Sequence, residues 1–217
     1  LCVNCHMPSK TYMQVDDRRD HSFLVPRPLA SEVTGSPNAC VTCHKDKPLG
    51  WVQTAFNSWG ISQSEDHWST VNYRSRQLDI STVTEIGQLS QDEDLSDIVR
   101  ATLLEQLAAF PSEVSVNIAS IGLADPSSLV RRSAVSALAA APPGVLWQLL
   151  SPLINDVAKP VRMEAVRVLL PVYGELRRQD QQRLSAAVAE YREYVGLEAD
   201  SPAGLLSLAS LEQALGN

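Results

Sequence analysis

"DLSDIVRATLLEQL" fills residues 94–107, "DPSSLVRRSAVSAL" residues 125–138 and "DVAKPVRMEAVRVL" residues 156–169. Asp94, Asp125 and Asp156 are 31 residues apart, and so are Val99, Val130 and Val161, and Arg100, Arg131 and Arg162. Three copies in one register form an internal repeat, and a period of this size is that of a stacked helix pair. Val99, Leu103 and Leu107 fall on one face at helical spacing, as do Val130, Ala134 and Leu138. Each Asp precedes a helix, where a carboxylate caps free amides and suits the positive end of the dipole. Each Arg is placed to reach back toward a turn aspartate, its own or a neighbouring repeat's. These roles are structural rather than catalytic.

The repeats resemble short HEAT-like units. The expectation over residues 78–179 is therefore an α-solenoid of HEAT-like helix pairs. The last stretch, residues 180–217, has another rhythm. One helix ends at "GLEADSP" (196–202) and a second runs through "AGLLSLASLEQALGN" (203–217), resembling one tetratricopeptide-type pair. A terminal repeat carries a polar outer face, and "LLSLASL" (205–211) is apolar. The pair is expected to pack on something further, a missing segment or a neighbouring subunit.

Upstream of the repeats the texture is different. The chain has four cysteines and four histidines. "CVNCH" (2–6) and "CVTCH" (40–44) take every cysteine and half of the histidines. C-x-x-C-H is the attachment pattern of c-type haem. Two thiols three residues apart on a helical turn can each form a thioether with one haem vinyl group. The histidine that follows ligates iron. Cys2, Cys5 and His6 are expected to hold one haem, and Cys40, Cys43 and His44 a second.

Three other uses of the cysteines fit the pattern less well. A thioredoxin-like site needs a strand-to-helix setting, and none is visible around either motif. Zinc suits paired thiolates, but 34 residues separate the pairs and zinc gives no reason for a His after both. Two disulfides would close small, strained loops.

Two haems with two axial ligands each need four ligands. His21, in "RRDHSF", and His67, in "EDHWST", close that count as distal ligands. Met7 cannot turn back to the iron beside it, and Met13 is read as packing. Arg18, Arg19 and Arg27 are candidates to hold haem propionates, since guanidinium pairs bidentately with carboxylate. Lys45 and Lys47 read as a solvated basic face. Trp51, Phe56, Trp59 and Trp68 are expected to pack on porphyrin or to seal a junction. Between the motifs, prolines and weak periodicity predict neither regular helix nor sheet.

The set "CVNCHMPSKTYM…DDRRDHSF…PRP…SPNACVTCHKDK…W" resembles multihaem c-type cytochromes whose haem segment precedes HEAT or tetratricopeptide-type repeats. The likeness is close over about the first 60 residues and architectural beyond them. It implies loops and short helices wrapped round haem, and a ligand role for His21. The whole chain is then mainly α: a loop-rich dihaem segment over 1–77, helical repeats over 78–179 and a terminal pair over 180–217.

The formal net charge of −7 argues against nucleic acid. No apolar run reaches bilayer length, and no signal peptide is present. Leu1 directly before Cys2 reads as the start of a mature form or a fragment. No nucleophile elbow or phosphate loop is found. Haem attachment outside the cytoplasm points to a periplasmic or extracellular electron carrier with two haem c groups. Its partners would be redox proteins or copies of itself, including a filament. Two alternatives are a multihaem reductase module with an open iron site and a scaffold with structural metal.

Overall fold

The computed structural model describes residues 2–21, 23, 25–63 and 67–216. The protein is mainly helical, with thirteen α-helices and one two-stranded sheet among the described residues. It divides into two compact units, Leu1–Tyr73 and Arg74–Asn217.

In the first unit a five-residue helix, α1 (Cys2–His6), leads into an antiparallel pair, β1 (Ser9–Tyr12) and β2 (Asp16–Arg19). Ser9 lies opposite Arg19 and Tyr12 opposite Asp16. Four helices follow: α2 (Pro28–Thr34), α3 (Ala39–Cys43), α4 (Leu49–Ser58) and α5 (Trp68–Arg76), within which the division falls. α1 packs on α3, and α2 on α4.

The hairpin and α2 correct the expectation of irregular backbone between the motifs. All eight strand residues are exposed, so no apolar alternation betrays them. The turn makes the hairpin. Met13 and Gln14 take φ of 49° and 62°, the left-handed pair whose twist suits antiparallel strands. The Thr11 hydroxyl donates to Asp17 across the strands at 2.7 Å. α2 opens on Pro28, which has no amide to leave unpaired. It closes on Gly35, left-handed at φ 69°, whose N–H donates to the Ser31 carbonyl. The sequence signals for both elements are turn residues rather than periodicity.

The second unit contains α6 (Thr82–Leu89), α7 (Asp97–Gln106), α8 (Glu113–Gly122), α9 (Ser128–Ala137), α10 (Pro143–Leu150), α11 (Lys159–Leu169), α12 (Arg178–Gly196) and α13 (Pro202–Leu215). α9 lies between α7 and α11, α8 packs on α9, α10 on α11, and α12 on both α11 and α13. The faces read from the repeat are the core. Leu103, Leu107, Val130, Ala134, Leu138, Val161, Ala165 and Leu169 are all buried, and Val99 is half-buried. No helix among the described residues is long and apolar enough to cross a membrane.

The repeated arginines work in two directions. Arg131 reaches back to the carbonyls of Asp125 and Pro126 at 2.8 and 3.0 Å. It also reaches forward to the next repeat, donating two hydrogen bonds of 2.8 Å to the Asp156 carboxylate. Arg100 pairs forward with Asp125 in the same way. Arg162 finds Glu190 of α12 instead. The aspartates accept from the amides of Ser127 and Ala158, both at 2.8 Å. Those are the N-cap residues of α9 and α11. Each carboxylate thus fixes the residue that enters the helix, one step before the helical amides, and simultaneously binds the preceding repeat. Asp94 stands exposed at the first position of the series.

Two predictions follow from this packing. Arg131 and Asp156 keep only 12% and 8% of their side-chain surface exposed, so removing one strands the other. Asp156→Ala is expected to lower unfolding stability by about 3 kcal/mol, as breaking nearly buried pairs does. The Arg131 hydrogen bonds hold the Asp156 carboxyl below the usual range. Its folded pKa is below its unfolded one, so its stabilisation is complete well above about pH 4. It is lost as pH falls from there through the folded value. Thermal melts between pH 6 and 3 should show this loss, and Asp156→Asn should flatten it. The second prediction concerns Gly204. A Cβ there would meet the Glu198 carbonyl oxygen and carbon of the turn before α13. Backbone cannot rotate away, so Gly204→Ala should cost about 1–3 kcal/mol in chemical denaturation.

Candidate functional site

Both C-x-x-C-H motifs fold as a turn of helix. In α3, Asn38 is the N-cap: its side-chain oxygen accepts from the Cys40 amide at 2.9 Å. Its carbonyl accepts from the Thr42 amide and hydroxyl. The His44 amide closes the turn on the Cys40 carbonyl at 2.9 Å. Cys40 and Cys43, three residues apart, therefore share a face. α1 is tied to the hairpin by Arg19, whose guanidinium donates to the Met7 carbonyl and the Asn4 side chain at 3.1 and 3.2 Å.

The packing of α1 on α3 brings the two motifs to one place. Cys5 and His6 of the first, and Cys40, Cys43 and His44 of the second, line a single cavity of about 540 Å³. Its remaining wall is largely apolar, with Val25, Pro26, Trp51, Phe56, Trp59 and Ile61. That volume is in the range of small-molecule sites, about 300–1,000 Å³. The His44 ring sits 4.8 Å from the Trp51 ring, tilted by 51°. The His6 ring is stacked on Phe23 at 4.7 Å and 7°.

Cys5, Cys40 and Cys43 are free thiols. Burial, with the nearby Cys5 second, pushes the Cys40 thiol up, which keeps it protonated and less prone to disulfide exchange. The side chain of Cys2 lies outside the described residues.

The other residues singled out from the sequence are dispersed. His21 is exposed just after β2 and does not line the cavity. His67 is half-buried, its ring 5.2 Å from that of Trp68. Its Nδ1 is 2.7 Å from the Ser69 hydroxyl and accepts from the Ser69 amide at 3.3 Å. Burial, then the nearby Arg27 charge, lowers the His67 pKa, favouring the neutral imidazole a metal requires.

Of the three arginines, Arg27 lines the cavity. Arg18 pairs with Asp16 at 3.1 Å and covers the Tyr12 ring, while Arg19 braces α1. Met13 is exposed at the hairpin turn, and Lys45 and Lys47 are exposed. Trp51, Phe56 and Trp59 face the cavity, whereas Trp68 packs on His67.

Sequence reading passed over Val25, Pro26, Ile61 and Gln63. The apolar members had only composition to mark them, and Gln63, in a polar stretch, had nothing.

The donor set fits a covalently attached haem. Three of the four motif thiols are described and free, two histidines stand at the cavity, its wall is largely apolar, and one guanidinium lines it. No family model matches the chain, and neither a curated protein nor a solved structure matches it. The reading therefore rests on the residues and their geometry.

Asn38 is 3% exposed and holds the α3 turn. Asn38→Ala should cost about 1 kcal/mol, the usual effect of losing an N-cap. The loss is measurable as a lower midpoint in denaturant.

Proposed function

We propose that this protein carries electrons outside the cytoplasm through two covalently bound c-type haems. The observation that supports this most is the meeting of both C-x-x-C-H motifs at one apolar cavity in a unit otherwise short of core. Among the described residues of 1–73, the buried apolar side chains are Pro28, Ala30, Ala39, Val52, Phe56 and Val71. Meanwhile Val25, Trp51, Trp59 and Ile61 are exposed at the cavity.

In this reading Cys2 and Cys5 anchor one haem and Cys40 and Cys43 the other. His6 and His44 are the proximal ligands, and His21 and His67 complete the set as distal ligands. Bound haem iron supplies one-electron chemistry at a potential set by its ligands and surroundings. The chain's own part is to orient these ligands, exclude water with Trp51, Phe56 and Trp59, and present a cation at the rim.

Residues 78–179 are read as a HEAT-like α-solenoid and 180–217 as a tetratricopeptide-like terminal pair. Their role is docking, to redox partners or to copies of the protein, including an extracellular filament. Leu205 and Leu206 of α13 are exposed, in keeping with such contacts. The location is periplasmic or extracellular, where thioether haem is made.

A pyridine haemochrome assay on the purified protein should return two covalent haems per chain. Replacing Cys40 and Cys43 with Ala should return one. Electron paramagnetic resonance of the oxidised protein should show two low-spin centres. A high-spin centre would favour a reductase with an open iron, and absence of haem would end the reading.

A further inference from the structure

Gln63 lines the cavity, and its side chain is also bonded to distant backbone. Its Nε2 donates to the Pro26 carbonyl and its Oε1 accepts from the Leu29 amide, each at 3.3 Å. One amide side chain thus spans the Pro26–Leu29 turn from 34 residues away or more. The two residues between the clamped ends are Arg27 and Pro28. Pro28 has no N–H with which to bond the turn to itself. Arg27 is the N-cap of α2 at φ −130°, ψ 80°, with no side-chain cap bond. Locally the Ser31 amide donates to the Arg27 carbonyl at 2.9 Å, which anchors the α2 side of the turn, and Gln63 anchors its Pro26 side.

What the turn presents is Arg27. Its side chain is exposed, lines the cavity and, among the described residues, makes no hydrogen bond or ion pair. Arg18 is engaged with Asp16 and Tyr12, and Arg19 with Met7 and Asn4. Arg27 is therefore the arginine at the cavity with its planar fork of donors uncommitted. That geometry suits bidentate binding of a carboxylate. A guanidinium on a flexible turn would lose much of that advantage to ordering entropy.

We propose that Gln63 is a positioning residue: by clamping the Pro26–Leu29 turn it fixes Arg27 at the cavity rim to bind a carboxylate of the bound tetrapyrrole. The identity of that carboxylate as a haem propionate rests on the dihaem reading above. A fixed cation beside a redox centre disfavours the more positive, oxidised state. Arg27 so held raises the midpoint potential of one haem.

The test uses the full-length haem-loaded protein, with haem content and redox titration measured on wild type, Gln63→Ala, Arg27→Ala and the double variant. Two haems per chain are expected in all four. One midpoint should fall in Gln63→Ala and in Arg27→Ala while the other stays. The Gln63→Ala shift should vanish once Arg27 is gone, which is the coupling a double-mutant cycle isolates. Should Gln63→Ala load haem poorly, Gln63→Glu carries the test. It retains the acceptor for Leu29, loses the donor to Pro26 and sets a carboxylate near Arg27, so the same midpoint should fall. An unchanged midpoint in these Gln63 variants overturns the inference, as does a shift that persists undiminished without Arg27. Wild-type protein without haem defeats the dihaem reading itself, a separate outcome.

Discussion

Burial is what a short, loop-rich segment lacks, and the first unit is organised around that shortage. Small chains bury a smaller share of their surface than large ones and are correspondingly marginal. Here the shortage is sharper than length alone dictates, because large side chains such as Trp51, Trp59 and Ile61 face an open cavity instead of one another. The devices that fix this unit's backbone turns are hydrogen bonds: the Asn38 cap, the Arg19 brace, the Gln63 clamp and the Gly35 stop. Each fixes a backbone turn and none replaces a core. A large, flat, apolar group bound through the thiols at the cavity would supply the missing surface, which is the physical case for the proposed haem.

The second unit is built the other way. Its interior is filled by aliphatic side chains at helical spacing, and the Arg–Asp pairs add register to that packing. A nearly buried ion pair is a poor source of net stability compared with apolar packing. Its value here is positional. Arg131 bonds both its own turn's carbonyls and the Asp156 carboxylate 25 residues on, and Arg100 pairs with Asp125 at the same separation, so each pair fixes the position of one repeat against the next. The last rung departs from the series, with Glu190 on the long helix α12 taking the place of a fourth aspartate.

The two halves differ in how openly the sequence displays them. Helices α7, α9 and α11 are plain in the repeat, because a helix that buries one face must repeat apolar residues on that face. The C-x-x-C-H turns are equally plain, because the same residue types recur at the same spacing within five residues. The β1–β2 hairpin was not seen, since a fully exposed ribbon has no apolar alternation and depends on the backbone of Met13 and Gln14. The short helix α2 is hidden among prolines, one of which, Pro28, starts it.

The sequence by itself determined the helical class, the 31-residue register, the faces that form the second unit's core and the residue types of the two motifs. Those features depend on neighbours close along the chain, whose spacing is visible in one dimension. Only the tertiary structure decided that both motifs meet at one cavity and that Arg27 rather than Arg18 or Arg19 stands at it. It alone showed that His21 does not line that cavity and that Gln63 holds a turn more than thirty residues distant. Such choices turn on which surfaces pack together and which donors are already taken. Neither is a property of spacing along the chain.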